Sequence, residues 1–516
     1  MEIVNNKVLL LNLKRPERVT AVIPKSKTLG EDNGLHKVAV NWGLEEAQVL
    51  KNLGIKNIPS PIVSNYDFAG LHKPFQHQIT TASFLTLHRR AFCFNEQGTG
   101  KTASVIWAAD YLMKLGFIRR VLVVCPLSIM QSAWQDDLFK FAMHRSCDVA
   151  YGIPEKRKKI INSHAEFVII NFDGVEIVAD DINANDFDLI VIDEANAYKN
   201  VSTKRFKVMQ KLIASERWLW MLTGTPASQS PEDAYGLARL VNPDRVPKFF
   251  GSWRDKVMWK VSQFRWLPRE NASQTVHDAL QPAIRFTKKE CLDLPEMTYE
   301  TREIPLTKQQ ERYYKQMKQQ ALMIAAGEEI SGVNAAAILN KLLQISAGAV
   351  YSDSGEVIQF DCSNRLSELD DVIAEASDKV LIFVPFKHAI HVVSDFLTDK
   401  GYSNEIINGE VSAKARTDIF RRFQSEASPK VLVIQPQAAS HGVTLTAANT
   451  IIWFGPTTSL ETYLQANSRA HRQGQHNPVT VIHLQGSPAE QRIYKMLQSK
   501  LDIHSQIISL YQDLTT

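Results

Sequence analysis

Cysteine is scarce in this chain. The 516 residues hold five, Cys93, Cys125, Cys147, Cys291 and Cys362, odd in number, widely spaced and without a CxxC pair. That pattern excludes a disulfide framework and a cysteine zinc site and points to a reducing compartment. Long apolar runs are also missing, and none approaches the roughly 20 residues that span a membrane. The start, MEIVNNKVLLLNLKRPERV, has a short apolar run and an early acid, so no signal peptide is expected and the expected location is cytoplasmic. Nor is there an excess of one charge: 59 basic against 55 acidic residues leave a net +4. Bulk charge therefore does not call for a nucleic-acid partner, although a local basic groove needs only clustering. Low-complexity segments and short-period repeats are lacking too.

What is present is the composition of a soluble globular protein, 44% hydrophobic and 22% charged, long enough for about three domains. Residues 1–70 read as an accessory segment. Val8–Leu13 and Val19–Ile23 look like strands, Glu45–Leu53 like a helix closed by Gly54, and Pro59-Ser60-Pro61 breaks regular structure. Residues 71–245 alternate strand and helix, the pattern of a parallel sheet covered on both faces. Its strands are expected at Ala91–Phe94, VLVVCP (121–126), EFVIINF (166–172), DLIVIDEA (188–195) and WLWMLTGTP (218–226), with helices at Thr102–Leu115 and around Trp134–Phe141. Residues 246–362 crowd aromatic and basic residues and then run helical from Gln309 to Gln344, a mainly helical insertion without sheet alternation. Residues 363–516 resume the rhythm with KVLIFVP, SNEIING, VLVIQP, TIIWFG and VTVIHLQ. The expected class is α/β, two parallel-sheet lobes around a helical insertion, with a small α+β segment in front.

The chemistry gathers on short strings. AFCFNEQGTGKT (91–102) is a strand, a glycine turn and a helix start, which aims backbone N–H groups and a helix dipole at a phosphate. Within it Asn95, Gln97, Gly98, Thr99 and Gly100 form the loop, Lys101 would reach the β/γ-phosphates and the Thr102 hydroxyl would hold Mg²⁺. Asn95 stands where the strict pattern has Gly or Ala. In VIDEAN, Asp193 would position Mg²⁺ and Glu194 would deprotonate the attacking water. Thr223 and Thr225 of LTGTP are placed to hydrogen-bond the acidic pair and a neighbouring lobe. In KPFQHQ either Gln78 or Gln76 can read the adenine edge through a paired donor and acceptor. Gln465, Arg469 and Arg472 recur at i, i+4 and i+7, one helix face, from which two arginines can act as fingers on a γ-phosphate. ATP and Mg²⁺ are the expected cofactors. Candidate nucleic-acid contacts lie in strand-end loops at Pro126, Ser128, Asn171, Phe172, Lys387, His388, Ser440, Gly442 and Thr444, with Lys156–Lys159 and Arg421–Arg422 as further basic groups.

These strings resemble helicase superfamily two, and more narrowly the Swi/Snf-type ATPases, over about residues 70–510 with the motifs in order. PLSIMQSAW (126–134) looks like the family's motif Ia, KLLQISAG (341–348) like a helix of its insertion, and GVTLTAANTIIWFGP with QANSRAHRQGQ (465–475) like motifs V and VI. The last string separates this family from DEAD-box RNA helicases. The resemblance implies two RecA-like lobes with ATP between them and ATP-driven tracking along double-stranded DNA, and the chain looks most like bacterial or phage members. Three positions depart from the family: Asn196 for His or Asp, Asn95 for Asp, and Thr444 for Asn. Other readings are a strand-separating or branch-migrating helicase using the aromatic insertion (Trp253, Trp259, Phe264, Trp266), a non-hydrolysing DNA clamp, or a motor subunit of a defence complex. Residues 1–70 would serve to dock a protein partner.

Overall fold

A computed structural model describes residues 1–499 apart from 69, 214–215, 228–229, 263–264, 292, 328–331, 352–356 and 440–442. Ser440, Gly442 and Phe264 thus lie outside the described residues.

The amino-terminal segment is a four-stranded antiparallel sheet in the order Glu2–Val4, Val8–Leu13, Leu35–Asn41, Lys27–Asp32. Leu9, Leu11, Val38 and Val40 alternate onto its buried face, the period a one-sided sheet requires. Val19–Ile23 is not a strand. Pro16 presets φ at −64°, a helical turn forms over Glu17–Thr20, and the Ile23 N–H bonds to the Val19 carbonyl at 2.9 Å. Val19 and Ile23 are both buried, so their spacing of four is helical. The helix Leu44–Asn52 does end at Gly54, whose φ of +84° suits only glycine at low cost.

Seven parallel strands form the sheet of the first lobe, in the order Ala283–Ile284, Arg90–Cys93, Trp218–Leu222, Leu189–Asp193, Val121–Cys125, Phe167–Asn171, Cys147–Ala150. Six parallel strands form the second: Met297–Glu303, Val479–Gln485, Ala448–Trp453, Lys379–Phe383, Val431–Ile434, Asn404–Ile407. The central strands are buried throughout because helices cover both faces, which is why they read as unbroken apolar runs. Residues 246–362 contain the long helices Lys308–Gly327 and Gly332–Ser346, yet they also give each sheet an edge strand. Neither edge strand is apolar enough to stand out: one has two residues, and MTYETRE is almost wholly exposed. Between them, residues 285–296 carry the chain from one lobe to the other. Among the described residues no helix is long and apolar enough to cross a membrane.

Asp110, in the helix Lys101–Lys114, ties the accessory segment to the first lobe. It is fully buried and accepts hydrogen bonds from Tyr66 Oη at 2.7 Å and Arg145 Nε at 2.6 Å, with His144 Nε2 at 2.9 Å. Burial alone would raise its carboxyl, but the bonds from Tyr66, Arg145 and His144 hold it below the usual range. Its stabilising contribution is therefore present above the unfolded carboxylate value of about 4 and is lost as pH falls through the lower folded value. Asp110→Ala removes the acceptor of the buried Tyr66 hydroxyl and one of the two carboxylates of the partly buried Arg145, which keeps Glu166, and chemical denaturation is expected to read a loss of about 1–3 kcal/mol.

Candidate functional site

The strand Arg90–Cys93 leads into a loop whose two glycines are both necessary. Gly98 and Gly100 have φ of +84° and +79°. A Cβ on Gly98 would lie 3.3 Å from the Arg472 Cβ, and one on Gly100 would lie 2.0 Å from Gln78 Nε2. The loop is thus closely approached from both lobes. Lys101 Nζ donates to the Asn95 and Glu96 carbonyls at 2.9 and 3.2 Å, and Thr99 Oγ1 to the Glu96 carbonyl at 2.8 Å.

Asn95 does not face the loop's interior. Its Nδ2 donates to Thr81 Oγ1 at 2.8 Å and its Oδ1 accepts from the Phe286 N–H at 3.0 Å, so it joins the helix Gln76–Thr86 to the segment leaving the lobe. One bond needs a donor and the other an acceptor, a combination the amide supplies in a buried position. Between the two glutamines the structure distinguishes clearly. Gln76 is exposed, whereas Gln78 is buried, donates to the Thr99 carbonyl at 3.2 Å and accepts from the Phe75 N–H at 3.0 Å. His77, which sequence reasoning passed over, reaches the same Thr99 carbonyl at 2.8 Å and stacks on Phe75 with centroids 5.7 Å apart.

Asp193 ends a central strand at its carboxyl end, the side on which open α/β sheets bind ligands. Its Oδ1 accepts from the Glu194 N–H at 2.9 Å and its Oδ2 from Trp134 Nε1 at 3.0 Å. Trp134 reaches it because Met130–Gln135 winds as a π-helix before the α-helix Asp136–Phe141, not as the single helix expected. Glu194 sits in the left-handed region at φ +51°, ψ +55°, a conformation that non-glycine residues adopt chiefly where the surroundings over-determine it. Burial pushes its carboxyl well above the usual range and the neighbouring Asp193 adds to this, with Lys101 opposing.

Asn196 explains one departure from the family pattern. Its Nδ2 donates to both Oγ1 and the carbonyl of Thr225 at 3.1 Å, and its side chain faces Glu461 of the second lobe, where it opposes the rise that burial imposes on that carboxyl. Thr225 N–H in turn bonds Thr223 Oγ1 at 3.2 Å.

The second lobe does not present Gln465, Arg469 and Arg472 from one helix. The helix Leu460–Asn467 ends before the arginines, and the turn that follows is pinned by the Leu445 N–H bonded to the Arg469 carbonyl at 2.9 Å. The three still converge. Gln465 Nε2 donates to Glu194 Oε2 at 3.4 Å and to Glu461 Oε1 at 3.3 Å, and Ser468 Oγ donates to Gln97 Oε1 at 2.8 Å across the lobes. Burial, with Arg472 nearby, lowers the Arg469 guanidinium to about 10, against the pull of Glu194. A cleft of about 600 Å³ is lined by Gln78, Gly98, Gly100, Lys101, Thr102, Asp193, Glu194, Arg469 and Arg472, and by Thr444, which its strand-end loop had put among the candidate nucleic-acid contacts. Thr102 and Asp193 offer hard oxygen donors on the same wall, the chemistry of a Mg²⁺ carried on a nucleotide's phosphates.

The chain matches the SNF2-related domain over residues 37–347 and the helicase conserved C-terminal domain over residues 364–474. It belongs to the SNF2-related family. Among its relatives, the mouse (Mus musculus) chromodomain-helicase-DNA-binding protein 1-like is 28% identical over 435 residues, 80% of this chain and 47% of that protein. An uncharacterized ATP-dependent helicase of Mycoplasma pneumoniae is 26% identical over 439 residues, 82% and 41%. The chain spans less than half the length of these curated relatives. A solved Sulfolobus solfataricus SWI2/SNF2 ATPase core in complex with dsDNA is 24% identical, with 86% of this chain and 94% of that one covered and a TM-score of 0.42.

The remaining expected contacts are scattered. Pro126 is buried and Ser128 exposed, while Asn171 Oδ1 is held by Arg157 Nη1 at 2.8 Å. Arg157, within the basic run 156–159, is itself buried and turned inward. Arg421 and Arg422 pair with Asp418, Glu426 and Glu405, so their charge is met locally. Lys387 pairs with Glu410 and His388 with Gln359.

Proposed function

We propose that this SNF2-related chain hydrolyses ATP in the cleft between its lobes and uses the cycle to track along duplex DNA, remodelling DNA or protein–DNA complexes. The observation that carries the reading is the meeting of Lys101, Thr102, Asp193 and Glu194 from one lobe with Gln465, Arg469 and Arg472 from the other. Gln97 Nε2, buried with no partner among the described residues, offers the same cleft a further donor. Gln78 reads the adenine; Lys101 and the loop amides hold the phosphates; Thr102 and Asp193 hold Mg²⁺, which would neutralise phosphate charge. Glu194 orients and deprotonates water, and the arginines meet charge that develops as the lobes close. The family match, with a relative named as a helicase-DNA-binding protein, supports DNA as the track. The aromatic insertion supports strand separation less: Trp253 is fully buried and Trp266 lies under Arg254, 4.3 Å from ring centroid to guanidinium, leaving Trp259 exposed. The accessory sheet is the surface we assign to a protein partner.

Steady-state ATP hydrolysis without nucleic acid, and with duplex DNA, single-stranded DNA or RNA, tests this, with Lys101→Ala as blank. Stimulation chiefly by duplex is expected; stimulation by single strands alone would favour the unwinding reading. Asn196→Ala, which removes the amide between Thr225 and Glu461, is expected to lower duplex-stimulated turnover about tenfold, the effect of one interaction near 1.4 kcal/mol, and basal turnover less.

A further inference from the structure

The segment that carries the chain from one lobe to the other touches the arginine-bearing turn twice, on the same residue. Lys288 Nζ donates to the His471 carbonyl at 2.8 Å, and His471 Nε2 is bonded to the Pro295 carbonyl at 2.8 Å. His471 stands between Arg469 and Arg472 in sequence, so both bonds bear on the backbone that aims the two guanidinium groups. The segment's other end is anchored in the first lobe. The Lys288 N–H bonds Glu96 Oε2 at 2.9 Å, and Glu96 Oε1 meets Arg285 Nη2 at 3.0 Å. Glu96 belongs to the phosphate loop itself. Lys288 Cε also lies 3.8 Å from where a Gly98 Cβ would be, so it packs under the loop beside Arg472.

We propose that Lys288 is a positioning residue: Lys288 and Pro295 of the crossover clamp the Arg469–Arg472 turn against the phosphate loop, and Lys288 is the clamp's donor. The clamp rests on the reading of the cleft as an ATPase site. Its logic is geometric. Two lobes joined by one covalent crossover can place fingers reproducibly only if the crossover fixes the turn relative to the loop, and misplacement by an ångström is costly to the chemistry. The charged groups facing Lys288 agree with this position. Burial lowers its ammonium to about 7, Glu96 opposes the shift, and Arg469, Arg472 and Lys101 add to it. An ammonium so crowded by other cations is held there by its bonds, not by an ion pair at Nζ.

Two readouts on the full chain test the clamp. Amide hydrogen exchange, without nucleotide, compares peptides covering 465–476 with the strand peptides of both lobes. Lys288→Ala is expected to raise exchange in 465–476 and leave the strands unchanged. In duplex-stimulated hydrolysis the same variant is expected to lower kcat about tenfold with the ATP KM within about twofold, and Lys288→Arg, which keeps a donor, is expected to recover most of both. Unchanged exchange in 465–476 overturns the clamp. So does a general rise across both lobes, or a loss that Lys288→Arg does not relieve. If the parent chain hydrolyses no ATP the functional reading falls, while the exchange comparison still decides whether the turn is clamped.

Discussion

Glu194→Gln is expected to bind ATP as the parent chain does and to lose about 10²–10⁴-fold in turnover, the span of general-base catalysis. The glutamine keeps the size of the side chain and can keep the contact with Gln465, so the lobes still meet; only the capacity to take a proton goes. The environment explains why this carboxyl and not Asp193 is suited to the task. Burial raises both carboxyls, but at Asp193 the Lys101 charge and the bonds from Trp134 and the Glu194 N–H oppose the rise, whereas at Glu194 the acidic neighbour adds to it. A base raised toward the operating pH binds its proton more readily than an ordinary carboxylate. The sign follows: the group is inactive when protonated, so kcat/KM should fall as pH drops, along a limb displaced above the ordinary carboxylate range. That limb should vanish in Glu194→Gln. Parent-like turnover in the variant, or an unchanged acid limb, would remove Glu194 from the mechanism.

How far the sequence could be read depended on whether the signal was local. Central strands such as Leu189–Asp193 and Val431–Ile434 were legible because burial on both faces demands an apolar run. The turn at Gly98 and Gly100 was legible because its glycines answer to backbone geometry within a few residues. Edge strands were not, since Lys27–Asp32 and Met297–Glu303 are largely exposed and place no apolar demand on their side chains. Val19 and Ile23 misled because a spacing of four inside a five-residue apolar-rich stretch fits a strand as well as a turn of helix. Likewise Gln465, Arg469 and Arg472 kept their common destination after losing their common helix, because the turn that ends it folds the arginines back toward the cleft. The roles of Asn95 and Lys288 depend on partners far along the chain, Phe286 at a separation of 191 and His471 at 183. No window of sequence holds both halves of those contacts.

Arg472→Ala is expected to reduce duplex-stimulated kcat by about 10³-fold or more, as removal of an arginine finger does, while the ATP KM moves only a few-fold. Three observations place the side chain for this. Its Cβ abuts the Gly98 position of the phosphate loop, its Nη1 is steadied by the Val443 carbonyl at 3.0 Å, and it lines the cleft opposite Glu194. Burial lowers its guanidinium, with Asp137 of the first lobe opposing, yet an arginine remains charged at any working pH. A lysine would keep the charge but lose the fork of donors, so Arg472→Lys should recover little. That sets it apart from Lys288, where the substitution in the other direction is expected to restore function, because a clamp needs one donor at one carbonyl and a finger needs a planar fork at a changing phosphate. Should Arg472→Ala instead raise KM with kcat intact, the arginine would be binding substrate and transition state equally, and the second lobe would contribute affinity without catalysis.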